Sequence, residues 1–504
     1  MREQYNNLKE QIQRLSLIDS LYVIWAYCEN IQPNNLPLPR DISAPDKFKS
    51  AIGREGKQIY EWELELLLRE VVVHSKRDEK GGESLKDWNV MFNAINIIKS
   101  LNISITDKYV NSDNALNEMA RLVYRQFPWQ LSFSQRDLIR HYLIYSKTNI
   151  DNLVKDKIGL CVQDLYYIGL MLLGYFSSES SFGLPFTVSD ELINRGITSE
   201  KIGIFLNFVS KSADETSKMI SAEVELNDKF EYQNIALITY PLIKYNRGGS
   251  PVIACPLRFN LFQRVTLGVY YELVGTGSFD NDFGESFSDF TGEIIRRFCI
   301  NGSLSYLPEE EYKVEKNNKK KTVDWIVVDH DAALFVECKT KRIARLSYLE
   351  LNDKSAMLFE IGKLADFVVQ VYKTINDYRN NKYPSFPFDD SRAIFPLIVT
   401  LEPWYFFHES FFHKLTEDVI SKLKANELPI QFADEMPYSI CSVNEFEEII
   451  HVCKSIGIKE YMRNKFKDGK GLWPYGPFNR NHYNEEMNKL PFLFDDELSK
   501  LIEN

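Results

Sequence analysis

The sequence is poor in the residues that staple a fold or hold soft metals. Seven cysteines and seven histidines are spread through 504 residues. The cysteines, at 28, 161, 255, 299, 338, 441 and 453, include no Cys-x-x-Cys pair, so neither a zinc site nor a disulfide framework has the spacing it needs. They read as reduced, mostly buried small hydrophobes, as in a cytosolic protein. His408 and His413 stand five apart beside Phe407, Phe411 and Phe412, a packing or surface arrangement rather than a zinc motif. The opening Met-Arg-Glu-Gln-Tyr-Asn-Asn lacks a signal-peptide apolar core. The most apolar run, Leu165 to Phe176, is too short to span a bilayer and predicts a buried helix, so a cytoplasmic chain with no membrane partner is expected. No fixed repeat period is present, which excludes a regular solenoid. Gly275-Thr276-Gly277 follows a helical pattern rather than a strand, which excludes a phosphate-binding loop there and leaves a hinge.

What is present is the material of a large globular chain. A hydrophobic fraction of 44% and a charged fraction of 26% are ordinary for one, and the length predicts roughly two to four domains. The net charge of −11 excludes a surface that is basic everywhere. It leaves room for local positive charge: residues 313–345 carry nine Lys/Arg against five Asp/Glu. Lys313, Lys316, Lys319, Lys320 and Lys321 form a run that reads equally as a phosphate-contacting surface or as a solvated loop.

Residues 1–230 carry helical periodicity almost throughout. Leu8, Ile12, Leu15, Ile18, Leu21 and Tyr22 set it first, and segments near 57–73, 86–101, 114–126, 134–146, 162–177 and 200–220 continue it. Ser134 with Asp137 opens one of these as a cap. Such an array suits a protein partner or the positioning of a catalytic domain. Beyond it, Ile235–Tyr240 predicts a strand, Arg247-Gly248-Gly249-Ser250-Pro251 a turn, Val252–Cys255 a returning strand, and Leu261–Val274 a helix.

The chemistry gathers in Val323–Lys339, which predicts two short strands joined by the turn residues Asp329-His330-Asp331. If Val328 and Ala333 close the loop, Asp324 falls opposite Glu337, and the period of two puts Lys339 on the face of Glu337 and Cys338 on the other. Two carboxylates and an ammonium on one face of an apolar sheet are costly unless a cation, a ligand or a reaction satisfies them. Their oxygens suit Mg²⁺ or Mn²⁺. After the hairpin, residues 356–379 predict an amphipathic helix with Leu358, Ile361, Leu364, Ala365, Val368, Val371, Tyr372 and Ile375 inward. Lys363, Gln370 and Lys373 face nucleic acid or solvent. Ala393–Thr400 predicts a further strand, at an edge or a bulge because of Pro396. In the tail, Trp473, Tyr475 and Phe478 read as packing residues or as base-stacking ones.

Asp324 followed by Glu337-Cys338-Lys339 resembles the PD-(D/E)xK nuclease superfamily, in which an Asp begins one strand and Glu-x-Lys lies on the next. Val323 stands in place of the motif's proline, which members of the superfamily often lack. The resemblance covers about 120 residues, from near Phe283 to near Glu402, and implies a restriction-endonuclease-like α/β domain with a central mixed sheet. It also implies an acidic residue on a preceding helix, and Glu285, Asp289 and Glu293 recur there every four residues. Glu293, deepest in the apolar part, is the first choice and Asp289 the reserve. A polar residue on the helix after the hairpin often assists such sites, a role Gln370 matches loosely.

The expected architecture is therefore a multidomain α/β chain: a helical domain over 1–230, a connector over 231–280, a nuclease domain over 281–430 and an α/β extension over 431–504. The expected activity is metal-dependent phosphodiester hydrolysis, with Asp324, Glu337 and Glu293 on the metal and Lys339 beside the attacking water. Lys319, Lys320, Lys321, Lys341 and Arg342 are the expected nucleic-acid contacts. By analogy with the family, DNA is the expected substrate, as in restriction or phage defence. The rival expectation is a nuclease-like sheet that binds nucleic acid or a partner without cutting.

Overall fold

The computed structural model describes the chain apart from residues 32–35, 46–58, 78–81, 132, 301, 316–317, 344, 405–408, 468–470, 472–473 and 504, and apart from the side chains of 131, 314, 315, 318, 346, 354 and 410. Lys316, Phe407, His408 and Trp473 thus lie outside the described residues. The chain forms two compact units, Met1–Phe279 with Asp496–Asn504, and Asp280–Asp495. Residues 231–279 therefore belong with the helical unit, and 431–495 with the unit of the Asp324 hairpin.

The first unit is built mainly of helices, with a four-stranded sheet ordered β1-β4-β3-β2. Those strands are β1 (Ser181–Gly183), β2 (Ser210–Ser212), β3 (Leu242–Arg247) and β4 (Ser250–Ala254). The β3–β4 hairpin turns at Gly248 and Gly249, whose φ of 55° and 83° fits glycine in a two-residue turn. Ser134 caps the helix Gln135–Tyr145 by accepting from the Asp137 N–H, as its spacing predicts.

Three sequence expectations change. Ile235–Thr239 is a helix, not a strand: the Glu223 carboxylate accepts from the Ile235 and Ala236 N–H groups at 2.9 and 3.3 Å, which satisfies the helix start, and the strand begins only at Leu242. The helix expected over 261–274 breaks at Thr266, whose backbone leaves the helical region and whose hydroxyl donates to the Phe262 carbonyl. The segment 200–220 likewise divides around β2.

Arg69, Arg121 and Arg125 are buried, and all three reach the segment 228–233. Arg69 donates to the Phe230 and Gln233 carbonyls, Arg121 pairs with Asp228 and Glu118 at 3.2 Å each, and Arg125 pairs with Glu231. No single helix among the described residues is long and apolar enough to cross a membrane. The bent pair Thr148–Ile158 and Val162–Tyr175 reaches that length and composition only together. Its second member buries Leu165, Tyr166, Ile168 and Leu172 in the core.

The second unit is organised by a mixed five-stranded sheet ordered β11-β10-β9-β8-β5. Its strands are β5 (Ser305–Pro308), β8 (Trp325–Val328), β9 (Ala332–Lys339), β10 (Ala393–Thr400) and β11 (Ser439–Ser442). β5, β8 and β9 run antiparallel, while β9, β10 and β11 run parallel through helical crossovers. A separate hairpin, β6 (Glu311–Glu315) with β7 (Asn318–Lys321), carries the basic run.

Pro396 is in an interior strand but at a position that is open on the β11 side. β11 pairs only with Leu397–Thr400, so at Pro396 a missing N–H on that side breaks no ladder bond. The helix Lys354–Arg379 buries the expected inner residues except Leu358, which is exposed. In the tail, Tyr475 and Phe478 pack into the unit rather than facing solvent, and the Tyr475 hydroxyl meets Ser439 of β11.

The helix Phe279–Cys299 lies against the opposite sheet face through Gly292. A Cβ there would come within 2.0 Å of the Trp325 ring, so only glycine admits this approach. Trp325 Nε1 donates to the Ser288 carbonyl at 3.0 Å and fixes the helix register. We expect Gly292→Ala to cost about 1–3 kcal/mol by overpacking. Gly284→Ala in the same helix, where a Cβ meets nothing within 4 Å, should gain about 0.5–1 kcal/mol. Chemical denaturation of both variants checks this contrast.

Lys465 is fully buried, its Nζ 2.9 Å from the Gly471 carbonyl and 4.7 Å from the centre of the Tyr475 ring. Burial pushes its ammonium from an ordinary value near 10.5 down to about 7, against the opposing pull of Glu445. The unfolded chain then binds more protons than the folded one between those values, so this group makes stability rise with pH across that window. Lys465→Met should therefore melt above the parent at pH 6–7, and its advantage should shrink as pH rises toward 10. A constant or growing advantage would contradict the burial argument.

Candidate active site

The hairpin forms in the register its sequence predicts. Val328 pairs with Ala333 and Trp325 with Val336, so one step further sets Asp324 across from Glu337. The alternation of β9 sends Phe335, Glu337 and Lys339 toward the helix Lys354–Arg379, where Phe335 meets Tyr378 at 5.3 Å. Val336 and Cys338 face the helix Phe279–Cys299, and the Cys338 thiol interacts with Thr291 and Ser288.

The polar groups form a continuous network. Asp324 Oδ2 accepts from the Cys338 N–H at 2.7 Å and Oδ1 from the Ser288 hydroxyl at 3.1 Å. Glu337 Oε1 accepts from Lys339 Nζ at 2.7 Å and from Gln370 Nε2 at 2.9 Å. Lys339 Nζ also donates to Gln370 Oε1 at 3.2 Å and sits 5.0 Å from the centre of the Phe367 ring. Gln370 therefore grips the acid and the ammonium together. Sequence reasoning matched it only loosely and missed Ser288, because a lone serine in a helix carries no signal until the helix is docked.

Burial raises both carboxyls. For Asp324, desolvation outweighs the Cys338 N–H, Lys339 and Ser288, which pull the other way. For Glu337, desolvation comes first and the Asp324 charge second, together pushing it up to about 7 despite Lys339. Two desolvated acids, one of them further raised by the other, that share the field of one ammonium are short of positive charge. Their donor set is all oxygen and suits a hard divalent ion.

The first-choice helix acid is engaged within its own helix. Glu293 pairs with Arg296 at 3.0 Å and Arg297 at 2.8 Å, and these arginines hold its carboxyl below the ordinary value against the opposing effect of burial. At about 100° per residue, Glu293 lies one such step beyond Gly292, the point of contact with Trp325. Glu285 lies nearly in line with Gly292, about 20° away, and Asp289 at an intermediate angle, and both are exposed. Glu285 acts on Lys321, and Glu309, paired with Lys321 at 2.7 Å, acts on both Asp324 and Glu337. The acid that acts on the pair is thus Glu309, on no motif at all, while Glu285 acts on the lysine that Glu309 holds.

The basic run is not a bare cationic patch. Lys319 pairs with Glu311 at 2.9 Å, Lys320 with Asp377 at 2.8 Å, and Lys341 with the buried Glu360 at 3.1 Å. Lys313 is exposed and Arg342 half-buried. The turn group Asp329, His330 and Asp331 brings ligand-type atoms within 4.8 Å of one another, but it is built for turn and cap duty. Asp329 Oδ1 accepts from the Asp331 and Ala332 N–H groups, Oδ2 accepts from the Ile458 N–H, and Asp331 pairs with Lys459. This ties the hairpin turn to the start of the helix Ile458–Phe466. Compared with protein-family models, curated proteins and solved structures, the chain matches none, so the site is read from its own geometry.

Proposed function

We propose that the second unit is a restriction-endonuclease-like domain of PD-(D/E)xK type and that it hydrolyses phosphodiester bonds of nucleic acid, DNA first among the substrates to test. The observation that carries this reading is the pair of carboxyls of Asp324 and Glu337, both raised by desolvation and set across the hairpin from each other beside Lys339. A bound Mg²⁺ or Mn²⁺ would take oxygens from these two acids and supply charge stabilisation at the phosphate.

The chain's own residues supply orientation. An ammonium has three protons to donate; Lys339 gives two of them to Glu337 and Gln370, which leaves the third for a water or a phosphate oxygen. Gln370 holds that geometry, and Ser288 with the Cys338 N–H fixes the Asp324 carboxylate plane. Glu285 and Glu309 are the auxiliary acids in place of Glu293. The helical unit is assigned to partner or substrate choice, and restriction or phage defence is the setting this chemistry suits.

Asp324→Asn, Glu337→Gln and Lys339→Met should each lower metal-dependent cleavage by about 10²-fold or more, and double variants should add little, as groups acting in one unit do. Glu293→Gln should retain activity within a few-fold. Plasmid, single-stranded DNA and RNA, each with and without Mg²⁺ or Mn²⁺, are the substrates. No metal-dependent cleavage of any of them by the parent chain would overturn the enzyme reading in favour of a binding protein.

A further inference from the structure

One surface of the helix Lys354–Arg379 leads directly to the carboxylate pair. Phe359, Lys363, Phe367 and Gln370 succeed one another at spacings of four, four and three residues, so they lie along one stripe. Gln370 contacts Glu337 and Lys339, and Phe367 lies under the Lys339 ammonium. Lys363 Nζ is 5.2 Å from the centre of the Phe359 ring. Phe359 is 62% exposed at the far end of the stripe. Lys341 follows Lys339 along the same strand direction and reaches Glu360, next to Phe359. Phe359, Lys363 and Phe367 of the helix, with Lys339 of β9 held at Gln370, thus alternate aromatic rings and ammonium groups over about 16 Å, the length of a few nucleotides.

We infer that this stripe is a track for a single-stranded nucleic acid, with bases stacked on Phe359 and Phe367 and phosphates beside Lys363 and Lys339. The inference rests on the nuclease reading of the same site and names its substrate class. A duplex keeps its base faces stacked on one another and cannot offer them to a ring. A single strand can, and ring stacking with lysines along the backbone is how sequence-tolerant single-strand binding is built. The occupant is a polyanion rather than an apolar peptide, because each ring on the stripe is paired with an ammonium. The stripe also runs without interruption into the residues that would act on the phosphate.

The test uses the full chain with fluorescein-labelled single-stranded DNA, single-stranded RNA and duplex DNA of one sequence, read by anisotropy in EDTA so that nothing is cut. The parent should bind one or both single strands tighter than duplex, which also distinguishes DNA from RNA. Phe359→Ala should weaken single-strand binding by about tenfold and leave duplex binding unchanged, whereas Phe359→Trp should restore it. Lys363→Ala should weaken binding and flatten its salt dependence by about one counterion. Phe359 is exposed, so its variants should melt with the parent, and an unchanged melting temperature certifies the comparison. Equal affinity for duplex and single strand, or Phe359→Ala binding like the parent, overturns the track. So does a Phe359 variant that loses only a protein partner, which would make the stripe a protein-docking face. Loss of single-strand binding in Phe359→Ala together with no metal-dependent cleavage by the parent would sustain the track and remove only the nuclease reading.

Discussion

The second unit depends on one electrostatic fact: two carboxylates, Glu337 buried and Asp324 half-buried, meet across one hairpin and share the field of a single ammonium, which pairs with Glu337. Each acid is destabilised by burial, and Glu337 further by Asp324, so the cluster is short of one positive charge. An ion pair assembled for stability would not be built this way, since desolvation exceeds what one lysine returns. The surrounding structure is arranged to tolerate the cost. Ser288, the Cys338 N–H and Gln370 each give a hydrogen bond to a carboxylate oxygen. The docking of Trp325 on Gly292 places the Ser288 helix close enough to do so.

Much of this was legible in sequence because strand alternation and turn chemistry are local. The pairing of Val328 with Ala333 follows from Asp329-His330-Asp331, and once it is set the faces of Asp324, Glu337 and Lys339 are fixed. The failures have a common cause. Glu293 and Glu285 are indistinguishable by spacing, and only the docking angle of the helix, set by a glycine, separates them. Glu309 belongs to no motif and reaches the pair through the chain before β6. The lysines of β7 look cationic in sequence, but each is matched by an acid: Lys319 and Lys321 by Glu311 and Glu309 across the β6–β7 hairpin, and Lys320 by Asp377, distant along the chain.

The fold follows the same rule. Long amphipathic helices and the β3–β4 turn were readable, whereas the short apolar run Ile235–Tyr240 was not. Four or five apolar residues satisfy either period, and the deciding contact is Glu223 on the first N–H groups of the helix. The buried arginines Arg69, Arg121 and Arg125 were also invisible, because an arginine on a helix reads as a solvated residue until its acceptors arrive from residues 228–233.

Calorimetric titration of Mn²⁺ into the full chain tests the charge deficit most directly. One binding event should appear in the parent, survive Asp331→Asn in the turn group, and vanish when Asp324→Asn and Glu337→Gln are combined. Binding should release protons near neutral pH, because a cation displaces the proton that burial holds on the pair. Undiminished Mn²⁺ binding in the double variant, or its loss in Asp331→Asn, would contradict the assignment of the carboxylate pair as the metal site.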